Sequence, residues 1–315
     1  MPGDAQAAVV LGTAELGGLY RPMTDDEAQA GLAAAWERRV RAFDTAPHYG
    51  VGLAEERLGR FLREGPREAF TVSTKVGRLL VDDPGAPDAA EGFVGTPRRR
   101  RVRDYSADGV RRSIEESLSR LGLDRVEIAL VHDPEDHLPQ ALDEAASALS
   151  GLRDEGVIAG WGVGTNHADV AEQFVRATDA DHVLVAGRYS VLDRRAERTL
   201  LPACAERGVR VLVAGVLNSG LLVDPRPGAP FDYAPAPDGL VAAARRMADA
   251  CAAHGVPLRA AALQFPTRHP AVDAVVTGGA RAAMVADTAA QLAVPVPDAL
   301  WAELDALVPD PALLP

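Results

Sequence analysis

Apolar runs of strand length alternate with helically patterned segments along nearly the whole chain, and this alternation restricts the fold more than any other feature. The strand-like runs are Ala8–Leu11, the segment ending at Asp44, Phe70–Lys75, Val126–His132, Ile158–Thr165, His182–Tyr189, Val209–Leu217 and Ala274–Thr277. Between them lie helical stretches. Thr24 precedes Asp25, Asp26 and Glu27, carboxylates suited to a first helical turn, and apolar residues then recur at Ala28, Leu32 and Ala35. Leu58, Phe61 and Leu62 share one face of a helix over Leu53–Leu62; Val110, Ile114, Leu118 and Leu121 form the stripe of another that begins at Ser106. Further helices are predicted over Pro139–Glu155, Val170–Ala177, Arg195–Arg207, Gly239–Ala253 and Leu258–Phe265, with a closing one over Pro295–Leu307. Eight strands in this order predict a single (β/α)8 TIM barrel, one domain over residues 1–315, with long loops over its C-terminal face. The length of 315 residues alone does not choose between one domain and two.

Three successive strand runs finish in a reactive side chain. Phe43-Asp44 leads through Pro47 to Tyr49, the next strand ends at Lys75, and the one after it at His132. In a parallel barrel the loops after the strand C-termini share one face, so Asp44, Tyr49, Lys75 and His132 are expected to converge. A lysine beside a phenol favours the phenolate, and a carboxylate beside the lysine keeps it charged. A neutral histidine adds a hydrogen bond to a substrate oxygen. Such a set suits proton transfer at a carbonyl or alcohol while a cofactor carries hydride.

Other features read in more than one way. Gly77–Arg103 is a long loop of the kind that covers a site, and its Arg98-Arg99-Arg100-Arg101 run reads most simply as a solvated charge run. His132-Asp133-Pro134-Glu135-Asp136-His137 crowds histidines and carboxylates, but in no metal-ligand spacing, and Asp133-Pro134 is what a turn requires; no metal site is expected. Gly160, Gly162 and Gly164 mark close approach of a ligand or of packed backbone. Leu222–Asp238 is a second long, proline-rich loop, in which Phe231 and Tyr233 read equally as wall residues of a site or as loop anchors.

The segments Asp44-Thr45-Ala46-Pro47-His48-Tyr49-Gly50, Ser73-Thr74-Lys75, Leu130-Val131-His132-Asp133 and Gly160–Asn166 give the chain a resemblance to the aldo-keto reductases. Leu121–Arg125, Ala186–Tyr189, Asn218–Leu222 and Ala260–Phe265 make it most similar to the branch of aldose 1-dehydrogenases and pyridoxal dehydrogenases. The resemblance implies an NAD- or NADP-dependent enzyme with Asp44, Tyr49, Lys75 and His132 as its catalytic residues. It places Thr165 and Asn166 at the nicotinamide carboxamide, Asn218, Ser219 and Gly220 along the pyrophosphate, and Gly279 and Arg281 at the adenosine phosphate. A helix opening after Gly278-Gly279 suits an anion in any case. Where most of the family carries a glutamine and a stacking aromatic, this chain aligns Ala186 and Ala214. Arg281 without an adjacent lysine inclines the cofactor toward NAD. The activity implied is oxidation of an aldose such as L-fucose at C1 to the lactone. Reduction or oxidation of an aldehyde or of pyridoxal at the same site, and a non-catalytic barrel that senses nicotinamide nucleotide, are the alternatives.

Composition narrows the partners. A formal net charge of −12 disfavours nucleic acid and anionic membrane, and no apolar run is long enough to span a bilayer. The start Met1-Pro2-Gly3-Asp4 has no signal-peptide pattern, and Cys204 and Cys251 are spaced for neither zinc nor a disulfide framework. A soluble cytoplasmic protein acting on a small sugar or aldehyde is expected; no oligomeric state is implied.

Overall fold

A computed structural model describes residues 8–232 and 234–315. The N-terminal tetrapeptide and Tyr233, one of the two wall candidates, lie outside the described residues. The barrel strands are β1 (Ala8–Gly12), β2 (Ala42–Asp44), β3 (Thr71–Val76), β4 (Val126–His132), β5 (Ile158–Thr165), β6 (His182–Ala186), β7 (Arg210–Ala214) and β8 (Val272–Thr277). All pair in parallel and close in the order β1-β8-β7-β6-β5-β4-β3-β2, with β2 returning to β1. The expected (β/α)8 barrel is therefore the observed fold.

Residues alternate across each strand. Val10, Leu130, Leu184, Leu212, Ala274 and Val276 fill the barrel interior, while their neighbours in sequence pack outward against the helices. The helices are α1 (Asp25–Glu37), α2 (Leu53–Leu62), α3 (Ala107–Leu121), α4 (Ala146–Asp154), α5 (Ala168–Ala177), α6 (Leu200–Arg207), α7 (Asp238–Ala253), α8 (Leu258–Gln264), α9 (Ala282–Leu292) and α10 (Asp298–Ala306). Thr24 and Glu27 form a reciprocal capping box at the start of α1, and the Ser106 hydroxyl accepts from Gly109 N–H to cap α3. A π-helical stretch, Ala141–Ala145, precedes α4 within what the sequence presents as one helix.

Two strands stop earlier than their apolar runs. β6 ends at Ala186 and β7 at Ala214, although the runs continue to Tyr189 and Leu217. Gly187 (φ 72°) and Gly215 (φ 64°) turn the backbone out of the strand, while Tyr189 and Val216 remain buried beyond them. The two long loops also carry structure. Arg78–Asp82 pairs antiparallel with Arg99–Arg103, Ala89–Ala90 pairs with Phe93–Val94, and in the second loop Pro230–Phe231 pairs with Ala234–Pro235. The arginine run is thus one strand of a hairpin, and Arg101 is not solvated: its side chain is 9% exposed and donates to His48 O (2.9 Å). Phe231 is buried and acts as an anchor.

One close approach links the helical turn Ala14–Gly17, which follows β1, to the loop after β2. A Cβ placed on Gly17 would lie 2.6 Å from Gly50 N and from the Tyr49 carbonyl carbon, so the two backbones touch where only hydrogen fits.

Candidate active site

The alternation that fills the interior also sets what stands at its C-terminal mouth. Above Ala42 on β2 comes Asp44, above Ser73 on β3 comes Lys75, and above Ile128 and Leu130 on β4 comes His132. Each is the last inward-facing residue of its strand, and each is buried. Gly164 on β5 leaves the neighbouring space to Lys75, whose Cε lies 3.6 Å from where a Cβ would stand.

The Lys75 ammonium uses all three of its protons: to Asp44 Oδ2 (2.7 Å), to Thr45 O (2.9 Å) and to Tyr49 Oη (3.1 Å). Asp44 is held in turn by Ser73 Oγ, which donates to Oδ1 at 2.8 Å. One residue before Lys75, Thr74 Oγ1 donates to the fully buried Glu55 of α2 (2.7 Å), which also accepts from Arg120 Nε of α3 (2.7 Å). The lysine strand is fixed from both sides.

Electrostatics follow from this enclosure. Burial works against the Lys75 charge, but Asp44 and Tyr49 outweigh it and hold the ammonium above its ordinary pKa. Burial pushes the Tyr49 phenol up, and Lys75 pulls it down without fully compensating, so its pKa lies above the ordinary value. The expected depression by Lys75 is present as a force but not as a net result, because burial is the larger effect. Burial and the nearby Arg78 drive His132 well below its ordinary pKa, leaving a neutral imidazole. The His132 and Tyr49 rings meet edge to face, 6.0 Å apart.

A second cluster borders these four. Arg78 NH2 donates to Asp133 Oδ2 (2.6 Å), and NH1 lies 3.0 Å from His48 Nδ1. Burial and Arg78 take the His48 pKa down to about 2, so the ring is neutral, and its Nδ1, facing a guanidinium that can only donate, is the acceptor. Phe93 stacks 6.1 Å from Tyr49 and meets the edge of His48 at 5.2 Å, so the first long loop folds over the site. Tyr105 Oη donates to His132 O (2.7 Å) and Asp133 O (2.9 Å), clamping the strand end. Arg78 and Asp133 are among the polar residues, with Arg188, Asn218 and Asp232, that the sequence offers on the loops bordering the site, whereas His48, Phe93 and Tyr105 are neighbours that sequence reasoning did not assign to it. The Arg78–Asp133 pairing spans 55 residues and leaves no local signature. The carboxylates after His132 are separately engaged, Glu135 by Thr165, Asp136 by Arg103 and Asp133 by Arg78. Among the described residues no group of three or more His, Cys, Asp or Glu is placed to hold a metal.

The remaining candidates lie around the other half of the mouth. Thr165 belongs to the outward row of β5 with Trp161 and Val163; its hydroxyl donates to Glu135 and accepts from His167 N–H (3.0 Å). Asn166 takes the next place and is half-buried, its carbonyl accepting from Arg188 Nε (2.6 Å). Arg188 also grips Asp232 of the second long loop through both guanidinium nitrogens, at 2.9 and 2.6 Å. Asn218 spends its amide internally, accepting from Ser190 Oγ (2.6 Å) and donating to Gly187 O (3.2 Å). Asn218, Ser219 and Gly220 run consecutively at positive φ; Asn218 is buried, and Ser219 and Gly220 are the accessible part of this turn. At the start of α9, Gly279 (φ 93°) precedes Ala280, whose N–H donates to Glu15 Oε2 (2.8 Å). Arg281 is paired with Glu27 (2.6 Å). A cavity of about 300 Å³ lies beneath α9, lined by Val9, Arg39, Gly279 and Thr288 among others, away from the four mouth residues.

These residues fit a flat ring at the mouth. On β6 and β7 the last inward residues are Ala186 and Ala214, methyl groups packed on the interior cluster and only partly buried, so the strand ends facing Tyr49 and Lys75 offer a shallow apolar seat.

The profile of the Aldo/keto reductase family matches residues 8–309. The chain belongs to that family. This aldo-keto reductase is 44% identical to D-threo-aldose 1-dehydrogenase of Pseudomonas sp, over 98% of this chain and 97% of that protein. It is 40% identical to pyridoxal 4-dehydrogenase of Microbacterium luteolum, over 94% and 92%. A glycerol dehydrogenase from Gluconobacter oxydans shares the fold at TM-score 0.75 and 24% identity, over 96% and 93% of the two chains. An aldo-keto reductase from Klebsiella pneumoniae in complex with NADPH superposes at TM-score 0.68 and 25% identity, over 96% and 92%. Among the described residues no helix of this oxidoreductase is long and apolar enough to cross a membrane.

Proposed function

We propose that this aldo-keto reductase, a single barrel domain acting in the cytoplasm, oxidises an aldose at C1 to its lactone with a nicotinamide cofactor. The observation that carries the reading is the chain Asp44–Lys75–Tyr49 beside a neutral His132. In this reading His132 donates from its imidazole to the C1 oxygen and holds it against Tyr49 Oη. Tyr49 takes the hydroxyl proton, Lys75 stabilises the resulting phenolate, and Asp44 keeps Lys75 charged. The cofactor, once bound, supplies the hydride acceptor. Asn166, Ser219, Gly220 and Gly279 are the residues we assign to holding it, with the nicotinamide over Ala186 and Ala214. The aldose dehydrogenase of Pseudomonas supports the substrate class.

We favour NAD over NADP. Glu15 and Glu27 already occupy the Ala280 N–H and the Arg281 guanidinium, and both would repel a further phosphate dianion there. Reduction of an aldehyde by the same residues is the second reading. The raised pKa of Tyr49, which keeps the phenol protonated and ready to donate, favours that direction, and the relative that acts on pyridoxal supports an aldehyde substrate. The test is initial-rate measurement at the absorbance of the reduced cofactor, with NAD and NADP against a panel of aldoses and aldehydes. Turnover of an aldose, L-fucose first, is expected. Turnover of aromatic aldehydes with every aldose inert would replace the first reading by the second, and absence of any turnover with bound nucleotide would point to a sensing barrel.

A further inference from the structure

The charged pair beside His132 carries no proton in the proposed reaction, yet it stands where a sugar differs most from a simple aldehyde. We infer that Asp133, held by Arg78, reads the hydroxyl on the carbon next to the reacting one and thereby decides which aldoses are turned over. The inference rests on the aldose reading above and adds the residue that enforces it.

The carboxylate is placed relative to the reacting oxygen by the strand end itself. Asp133 Oδ2 lies 3.5 Å from His132 Nε2, the nitrogen that in the proposed reading faces the C1 oxygen. Adjacent hydroxyl oxygens on a sugar ring are about a hydrogen-bond length apart. An oxygen neighbouring the one that His132 holds therefore falls within reach of Asp133. Every contact of this carboxylate runs through Oδ2, to Arg78 and His132, which leaves Oδ1 free among the described residues to accept a hydroxyl proton.

The group is also fixed. Asp133 sits at φ 43°, a left-handed conformation that costs a non-glycine residue about 1 kcal/mol. Its N–H donates to Gly164 O (3.0 Å) and its carbonyl accepts from Tyr105 Oη, so the surroundings impose this geometry. Arg78 is itself held between Asp133 and His48 with its side chain 9% exposed, whereas the Asp133 side chain is 35% exposed. Of the pair, the carboxylate is the open member. Burial pushes its carboxyl pKa up while Arg78 pulls it down, the condition of an acceptor removed from bulk water and stabilised by one partner. A hydroxyl that satisfies such an acceptor is strongly preferred over its absence, because the unpaired alternative leaves a desolvated polar atom.

The experiment compares kcat/KM for the best aldose and for its 2-deoxy counterpart in the wild type, in Asp133→Asn and in Asp133→Ala. Nucleotide binding by fluorescence and the thermal midpoint serve as fold checks. The wild type should prefer the full aldose by about 100-fold. Both variants should lose at least about 10-fold of that preference, the aldose falling by more than the 2-deoxy sugar. If Asp133→Ala does not fold, the isosteric Asp133→Asn still decides. An unaltered preference in Asp133→Asn, or an equal fall for both sugars, would reduce Asp133 to an anchor for Arg78 and overturn the inference. A wild type that oxidises no aldose would instead overturn the aldose reading itself, before any variant is compared.

Discussion

On β2, β3 and β4 the last inward-facing residue is Asp44, Lys75 or His132; on β6 and β7, at the same level of the barrel, it is Ala186 or Ala214. The first half of the mouth is a continuous chain of charged and polar contacts, closed by Tyr49 and backed by Glu55, Thr74 and Arg120. The second half presents methyl groups, left-handed backbone at Asn218, Ser219 and Gly220, and a loop gripped by Arg188. The difference separates two tasks. On the proposed function, side chains fixed by side chains set proton chemistry, while a seat made of backbone and small residues sets what is held above it. Changes in the first half should therefore appear in turnover, and changes in the second half in nucleotide binding.

The largest effect is expected from Tyr49→Phe, which removes one oxygen from the first half. Turnover should fall at least about 100-fold, with the nucleotide Kd unchanged; near-normal turnover would break the comparison at its strongest point. Lys75→Met should follow, in two readouts. Removing one partner of a buried ion pair costs about 3–5 kcal/mol, so chemical denaturation should show a large loss of stability from the stranded Asp44. Because Lys75 is what pulls the Tyr49 phenol down against burial, its loss raises that pKa further, and the alkaline rise in the oxidation rate should move to higher pH. A superimposable pH profile would make Lys75 purely structural.

The second half predicts smaller changes of another kind. Arg188→Met releases both Asp232 and the Asn166 carbonyl and should weaken nucleotide binding about 10-fold, the worth of a charge-assisted hydrogen bond, while single-turnover chemistry at saturating nucleotide stays near normal. Slowed chemistry with intact binding would mean that the two halves are not separate. The smallest effect belongs to Glu15→Gln. Removing one carboxylate from Ala280 N–H should raise kcat/KM for NADP relative to NAD by about 5-fold, the scale of a single screened repulsion; an unchanged ratio would show that Glu15 does not face the 2′-phosphate.

The first half was also the more legible in sequence, for the same physical reason. A lysine or histidine that closes an apolar run has one place to go in a parallel barrel, and Asp44, Lys75 and His132 are found there. What the residues did not reveal is how burial and charge balance at Tyr49, because desolvation depends on every neighbour that covers it, Phe93 included. Arg78 and Asp133 were legible as polar residues of the bordering loops, but their pairing with each other and with His48 was hidden in the same way, and Arg101 was misread as solvated because a run of arginines does not announce which member turns inward. In the second half, hydropathy overran β6 and β7 since the chain stays buried after leaving the strand. Gly187 and Gly215 were the visible stops. The roles of Thr165 and Asn218 depend on partners, Glu135 and Ser190, that are distant in sequence.

The contact between Gly17 and Gly50 bears on how a mutational scan of this protein would be read. Gly17 is not one of the mouth residues, yet any side chain there must push apart the backbone that carries Tyr49. An assay that scores only product formation would register such a variant as inactive and rank Gly17 beside Tyr49. Calorimetry and nucleotide binding on the same variant distinguish loss of the fold from a folded molecule with Tyr49 displaced, and without them a map of functional positions drawn from activity alone would include residues whose whole contribution is to stay out of the way.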